Sequence, residues 1–304
     1  MEKKPLVVVN GLVRKDAIAY LKEHVDVRQW TEKTVMPREV LKEWLIDADG
    51  LWCVRPLDVD GDLVKNAPNL KVIAQAAVGY DNVNIDELTA AGIPYGNTPG
   101  VLNETVAELA FTLIATASRR IIENANFVKD GRWAQRPSNI KGFDLSRRTL
   151  GIIGMGAIGV SISRRARAFG MTVVYHNRNQ RLDDKIHKTT YMELDDLLAI
   201  SDVVCVMAPL TDETYHMCDE AFFKKMKNTA LFVNVGRGPI VDTDALINAL
   251  KTGEIDYAAL DVTDPEPLPA DHPLLDVENC LIVPHIGSYT DRTRYDMSIL
   301  TAED

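Results

Sequence analysis

Three glycines constrain this chain more than any other feature. Gly154-Met155-Gly156-Ala157-Ile158-Gly159 follows the apolar run at residues 150–153 and opens a segment whose apolar residues recur at helical spacing. In a strand-to-helix turn of this kind the first glycine permits the sharp bend, the second lets backbone approach a pyrophosphate, and the third lets helix and strand pack closely. Amides and dipole at the helix N-terminus then favour the phosphates. Glycines alone can merely punctuate a tight turn. The strand before, the helix after and a further strand pattern at residues 172–175 together predict a dinucleotide site through Gly154, Gly156, Ala157, Ile158 and Gly159.

The same alternation of short β-branched runs with helix-period segments continues along almost the whole chain, the pattern of parallel strands covered by crossover helices. A length of 304 residues, 46% of them hydrophobic, suffices for two cores. The predicted fold is therefore α/β, with two doubly wound parallel-sheet domains of Rossmann or flavodoxin type and an interdomain cleft. Strands are predicted at residues 6–10, 25–28, 50–54, 71–76 and 93–96 in the first unit, with helices at 14–24, 37–48 and 85–91. In the second unit they fall at 149–153, 172–175, 202–207, 230–235, 257–262 and 281–283, with helices at 157–169, 193–200, 220–226 and 242–251. One long helix over 103–129, with Val106, Ala110, Leu113, Ile114, Ala117 and Ile121 on one face, is predicted to bridge the two.

A formal net charge of −10 leaves no overall basic footprint for nucleic acid or an anionic membrane. Cys53, Cys205, Cys218 and Cys280 show no metal-binding or redox spacing, so no metal site is predicted. No apolar run approaches the roughly 20 residues of a membrane span, and the stretch after Pro5 is too short for a signal-peptide core. The expected location is cytoplasmic.

Enzymes that use NAD usually place an acidic residue about 20 residues beyond the glycines, on the ribose 2′-hydroxyl. Here the sequence is Tyr175-His176-Asn177-Arg178-Asn179-Gln180-Arg181. Arg178 and Arg181 predict charge-assisted bonds to a 2′-phosphate, and so NADP(H) over NAD(H), with Asn177 beside them as a further cofactor contact. The alternative is that both arginines are surface cations, with Asp183 and Asp184 close enough in sequence to pair with them.

Three segments in the last quarter are wrong for simple packing: Asn234-Val235-Gly236-Arg237-Gly238, Asp261-Val262-Thr263-Asp264-Pro265-Glu266, and Pro284-His285-Ile286-Gly287-Ser288. Each sends a charged side chain out where an apolar strand ends, at the carboxyl edge where open α/β sheets bind ligands. Arg237 suits a substrate carboxylate and polarises the adjacent carbonyl. His285 carries a proton near neutrality, and Glu266 beside it would favour the protonated imidazole. Taken singly, each has a bland alternative: Arg237 paired with Asp242, Glu266 in a solvated loop, His285 as a hydrogen-bonded structural histidine.

Together with Val78-Gly79-Tyr80-Asp81-Asn82 and Asn97-Thr98-Pro99-Gly100, these motifs resemble the D-isomer-specific 2-hydroxyacid dehydrogenases over nearly the whole chain. The likeness is greatest to the glyoxylate/hydroxypyruvate reductase branch, through residues 260–269 and 271–275 and the Asn-Arg-rich loop. The resemblance implies Arg237, Glu266 and His285 as the catalytic trio. It also implies cofactor contacts at Thr105, Pro209, Thr214, Val235, Gly236, Asp261 and Gly287, and substrate contacts at Val78 and Gly79. It further implies a discontinuous substrate-binding domain, 1–103 plus 287–304, around a dinucleotide-binding domain, 104–286. Small 2-oxo or 2-hydroxy acids would be the substrates, NADPH the reductant, and a homodimer through the cofactor domain the assembly.

Two departures stand out. Residues 133–143 lack the additional tryptophans that animal members carry where a dimer mate shapes the pocket, and the chain stops at Asp304 within the returning C-terminal helix, so part of the substrate domain is expected to lie beyond it. Rival functions are a 2-ketogluconate reductase, a phosphoglycerate dehydrogenase with Arg55 on the substrate phosphate, and a corepressor of the same fold that senses NAD(P)H. A formate dehydrogenase fits less well, because Glu266 stands where that enzyme pairs its histidine with glutamine.

Overall fold

The computed structural model describes residues 3–54 and 57–304. Their contacts divide them into two compact units, one running to Leu102 and resuming at Tyr289–Asp304, the other Asn103–Ser288.

In the first unit β1 (Leu6–Val9), β2 (Asp26–Gln29), β3 (Gly50–Cys53), β4 (Val72–Gln75) and β5 (Tyr95–Gly96) form a parallel sheet in the order β2-β1-β3-β4-β5. Helices α1 (Lys15–His24), α2 (Arg38–Leu45), α3 (Gly61–Lys65) and α4 (Ile85–Ala91) join the strands. Alternation sorts the side chains between two layers: Val8, Leu51 and Ile73 pack with Leu41 and Leu45 of α2, while Val9 and Trp52 pack with Ile18 and Leu21 of α1. The C-terminal helix α12 (Asp291–Glu303) returns to that second layer, where Ile299 and Ala302 join Trp52.

The second unit begins with α5 (Asn103–Ser118) and α6 (Ile121–Lys129). The single helix predicted over 103–129 is therefore broken. Arg120 takes a left-handed φ of 50°, and the Ser118 carbonyl accepts from the Phe143 amide at 2.7 Å. Arg120 stacks its guanidinium 4.5 Å from the Tyr257 ring and pairs with Glu123 at 2.6 Å, contacts that hold the bend.

Beyond α6 the sheet comprises β6 (Thr149–Ile153), β7 (Thr172–His176), β8 (Thr190–Tyr191), β9 (Val203–Val206), β10 (Leu231–Asn234), β11 (Tyr257–Leu260) and β12 (Cys280–Ile282), in the order β12-β11-β10-β9-β6-β7-β8. Every pairing is parallel. Its helices are α7 (Ala157–Ala168), α8 (Asp184–His187), α9 (Leu194–Ile200), α10 (Glu220–Lys225) and α11 (Thr243–Thr252). β9, β10 and β11 are buried throughout because helices cover both faces. Phe232 packs with Phe222 and Phe223 on one side, and Leu231 and Val233 with Ile114 and Ile152 on the other. Each such side chain stabilises the fold by about 1.5–3 kcal/mol. The strand order reverses between β9 and β6, so the crevice at their carboxyl ends is where this topology binds ligands. No helix among the described residues is long and apolar enough to cross a membrane.

Candidate active site

The glycine turn connects β6 to α7 at this switch point. Gly154 has φ 97°, and a Cβ there would lie 2.5 Å from the Ala208 backbone nitrogen, so neither its conformation nor its surroundings admit a side chain. A Cβ at Gly159 would meet the Gly154 carbonyl at 2.9 Å, the close approach of helix to strand. Gly156 differs from both. Nothing lies within 4 Å of where its Cβ would be, and as the N-terminal boundary residue of α7 it offers no side-chain cap to the first helical amides. An open cradle above uncapped amides fits a pyrophosphate.

Asn177, just past β7, braces the turn, its Oδ1 accepting from the Met155 amide at 2.6 Å. The two arginines that follow behave differently. Arg178 is exposed, and its charge adds the smallest of the influences on the Glu213 carboxyl in the loop after β9, which a bond to Thr211 chiefly lowers. Arg181 is held: its Nε and Nη2 each donate to Asp183 at 2.7 Å, and Nη1 donates to the Met155 carbonyl at 2.9 Å. The pairing of Arg181 with Asp183, weighed as the alternative to phosphate binding, is the one found.

Three neighbouring strands deliver the other charged groups to the same edge. Arg237 follows β10, Glu266 the loop beyond β11, and His285 comes after β12. His285 Nδ1 lies 2.6 Å from Glu266 Oε1. That bond is the main cause holding the imidazole pKa above its ordinary value, against burial and the nearby Arg237 charge. Burial pushes the Glu266 carboxyl up, but its bond to His285, the histidine charge, the Thr263 amide and Arg237 outweigh it and keep it below the usual range. The three groups thus share one electrostatic neighbourhood. With Nδ1 engaged by Glu266, Nε2 is the nitrogen left to exchange a proton with a ligand.

The residues that hold this geometry gave no sign of that role in the sequence. Asn234, 1% exposed at the end of β10, accepts from the Gly236 amide at 3.0 Å and donates to the Arg237 carbonyl at 2.9 Å, shaping the turn that presents Arg237. At Gly238 a Cβ would stand 1.8 Å from the Thr263 carbonyl oxygen, so glycine alone lets the Arg237 loop lie on the Glu266 loop. Asp261, expected only as a cofactor contact, is buried at the end of β11. It accepts from the Ile286 and Gly287 amides at 2.7 and 3.0 Å and fixes the loop that begins at His285. Burial, the largest influence, leaves its pKa raised.

Residues 111–287 match the family model for the D-isomer specific 2-hydroxyacid dehydrogenase, NAD binding domain. The chain belongs to this family. A glyoxylate reductase of Korarchaeum cryptofilum is 41% identical to this dehydrogenase, over 99% of the chain and 92% of its own length. A solved structure from Thermus thermophilus shares 38% identity and superposes with a TM-score of 0.92, covering 98% of this chain and 94% of that one. An NADPH-dependent glyoxylate/hydroxypyruvate reductase of Sinorhizobium meliloti, solved with NADP and malonate, shares 30% identity at a TM-score of 0.90 over 99% and 92% of the two chains. The present chain is thus a 2-hydroxyacid dehydrogenase of glyoxylate reductase type, with a nicotinamide cofactor.

As a member of that family, it places the remaining expected residues as follows. Pro209 and Thr214 share the loop after β9, where Thr214 Oγ1 donates to the Pro209 carbonyl at 2.7 Å. Thr105 lies in the first turn of α5, which Glu104 ties to α7 through Ser161 at 2.7 Å and Arg165 at 2.9 Å. Val235, Gly236 and Gly287 are buried beside the trio's loops. Val78 and Gly79 follow β4 in the first unit, with their carbonyls accepting from Asn97 and Gln75 at 2.9 and 3.0 Å. Arg55 lies outside the described residues.

Proposed function

We propose that this dehydrogenase uses NADPH to reduce a small 2-oxo acid, glyoxylate or hydroxypyruvate, to the 2-hydroxy acid, of D configuration where C2 becomes a stereocentre. The observation that carries the reading is the 2.6 Å His285–Glu266 pair beside Arg237 on the edge that bears the glycine turn. A reduced nicotinamide dinucleotide, held through its pyrophosphate at that turn, would supply the hydride. Gly154, Gly156 and Gly159 with the first amides of α7 would hold its pyrophosphate, and Val235, Gly236, Asp261 and Gly287 would line the nicotinamide end. Arg237 receives the substrate carboxylate and draws electron density toward the carbonyl oxygen. His285 gives the Nε2 proton to that oxygen, while Glu266 steadies the imidazole in its charged form. Hydride at C2 and a proton on oxygen complete the conversion of carbonyl to alcohol.

The preference for NADPH rests on Arg178, exposed where NAD enzymes carry a carboxylate. On this reading Asn103–Ser288 is the dinucleotide-binding domain and the other unit the substrate-binding domain. We propose a homodimer as well. Ile121, Ile122 and Val128 on α6 and Trp133 just beyond it are 43–66% exposed, an apolar surface suited to a second copy. NADPH and NADH oxidation measured with glyoxylate, hydroxypyruvate, pyruvate and 2-ketogluconate tests the assignment. Highest kcat/KM is expected for NADPH with one of the first two; better use of NADH removes the cofactor preference, and no turnover with any 2-oxo acid removes the function.

A further inference from the structure

Arg181 does not stand free to meet a ligand. Its guanidinium makes the two parallel 2.7 Å bonds to Asp183, and its remaining terminal nitrogen reaches the Met155 carbonyl inside the glycine turn. Asp183 is fixed from the far side by His187 Nε2 at 3.0 Å. The turn that carries Arg181 is anchored in turn, because the Arg181 amide donates to the Tyr175 hydroxyl at 2.8 Å and Gln180 donates to Asp184 at 2.7 Å. Two side chains therefore grip Met155, Asn177 at its amide and Arg181 at its carbonyl.

We infer that Asp183 is a specificity-determining residue for the dinucleotide: by pairing with Arg181 it turns that arginine into a strut of the glycine turn and withholds its charge from a 2′-phosphate. Bidentate pairing takes up the face of the guanidinium that would otherwise clasp a phosphate, and the carboxylate would repel one. Discrimination between the phosphorylated and unphosphorylated cofactor then falls to Arg178, and it is weaker than two arginines would give. The inference rests on the reading that the turn binds a dinucleotide.

The test is equilibrium binding of NADPH, NADH and the fragment 2′,5′-ADP to wild type, Asp183→Asn and Arg181→Met, with thermal melts of the nucleotide-free proteins to verify folding. Asp183→Asn releases Arg181, and NADPH and 2′,5′-ADP are expected to bind about tenfold tighter relative to NADH, the scale of one charge-assisted contact. Arg181→Met removes the strut, and NADPH and NADH are expected to weaken by the same factor. An unchanged NADPH to NADH ratio in Asp183→Asn overturns the inference. So does a loss confined to NADPH and 2′,5′-ADP in Arg181→Met, since that marks Arg181 as a direct phosphate ligand. If wild type binds neither dinucleotide, the cofactor reading itself falls and takes the inference with it.

Discussion

His285 has a backbone φ of 51°, a conformation that few residues other than glycine adopt. It is held there by its amide bond to the Asp261 carbonyl at 2.9 Å and by the Asp261 carboxylate on the two amides that follow. The chemistry asked of the side chain depends on its charge. If His285 is the proton donor proposed above, reduction needs the protonated imidazole, so the rate is full below the His285 pKa and falls as pH rises through it. Glu266 raises that pKa. In Glu266→Gln the alkaline limb of kcat/KM for reduction is expected to move toward lower pH, by a modest amount because both side chains are 40–48% exposed and screened. A pH–rate profile checks the sign; a shift toward higher pH contradicts it. Asn234→Ala keeps Arg237 but frees its turn. Steady-state kinetics are expected to show about a tenfold rise in KM for the 2-oxo acid, and melting a loss of about 1–3 kcal/mol from the unpaired buried groups.

Two glycines on different turns separate folding from binding at the level of elements. In Gly238→Ala the new methyl meets the Thr263 carbonyl at 1.8 Å, so the loops after β10 and β11 must part. Both stability and activity are expected to fall. In Gly156→Val the side chain enters open space, so melting is expected to stay near wild type while dinucleotide binding measured by titration is lost. This division was only partly legible in the sequence. The glycine turn could be found because its spacing is local and the strand before it is apolar. Arg237, Glu266 and His285 could be found because charge after a buried run is a local anomaly. Gly238 could not, since what it does depends on the carbonyl of Thr263, 25 residues along the chain, and Asp183 could be named only beside Asp184 as a candidate partner, because the sequence does not say which carboxylate an arginine selects. The break at Arg120 was hidden because apolar residues continue past it and its cause, Phe143 and Tyr257, is equally remote in sequence. Short pieces such as α3, α8 and β8 carry too few residues to show a period.

On the scale of the whole chain, ligand linkage offers a check independent of turnover. A dinucleotide that binds the folded state at about 100 times its Kd adds about 2.7 kcal/mol of stability, so NADPH is expected to raise the melting temperature in a concentration-dependent way. Light scattering on the intact protein is expected to give twice the mass of one 33.8 kDa chain, and a monomer at micromolar concentration would remove the dimer proposal. On the proposed function the second unit gathers a nucleotide turn, a carboxylate-binding arginine and an acid-supported imidazole on one sheet edge, and the imidazole supplies the proton. The most direct measurement is His285→Ala, assayed side by side for NADPH binding and for single-turnover reduction of glyoxylate. The expected result is binding close to wild type with reduction slowed by roughly 10²–10⁴-fold. Reduction at the wild-type rate, with binding intact, would contradict the account.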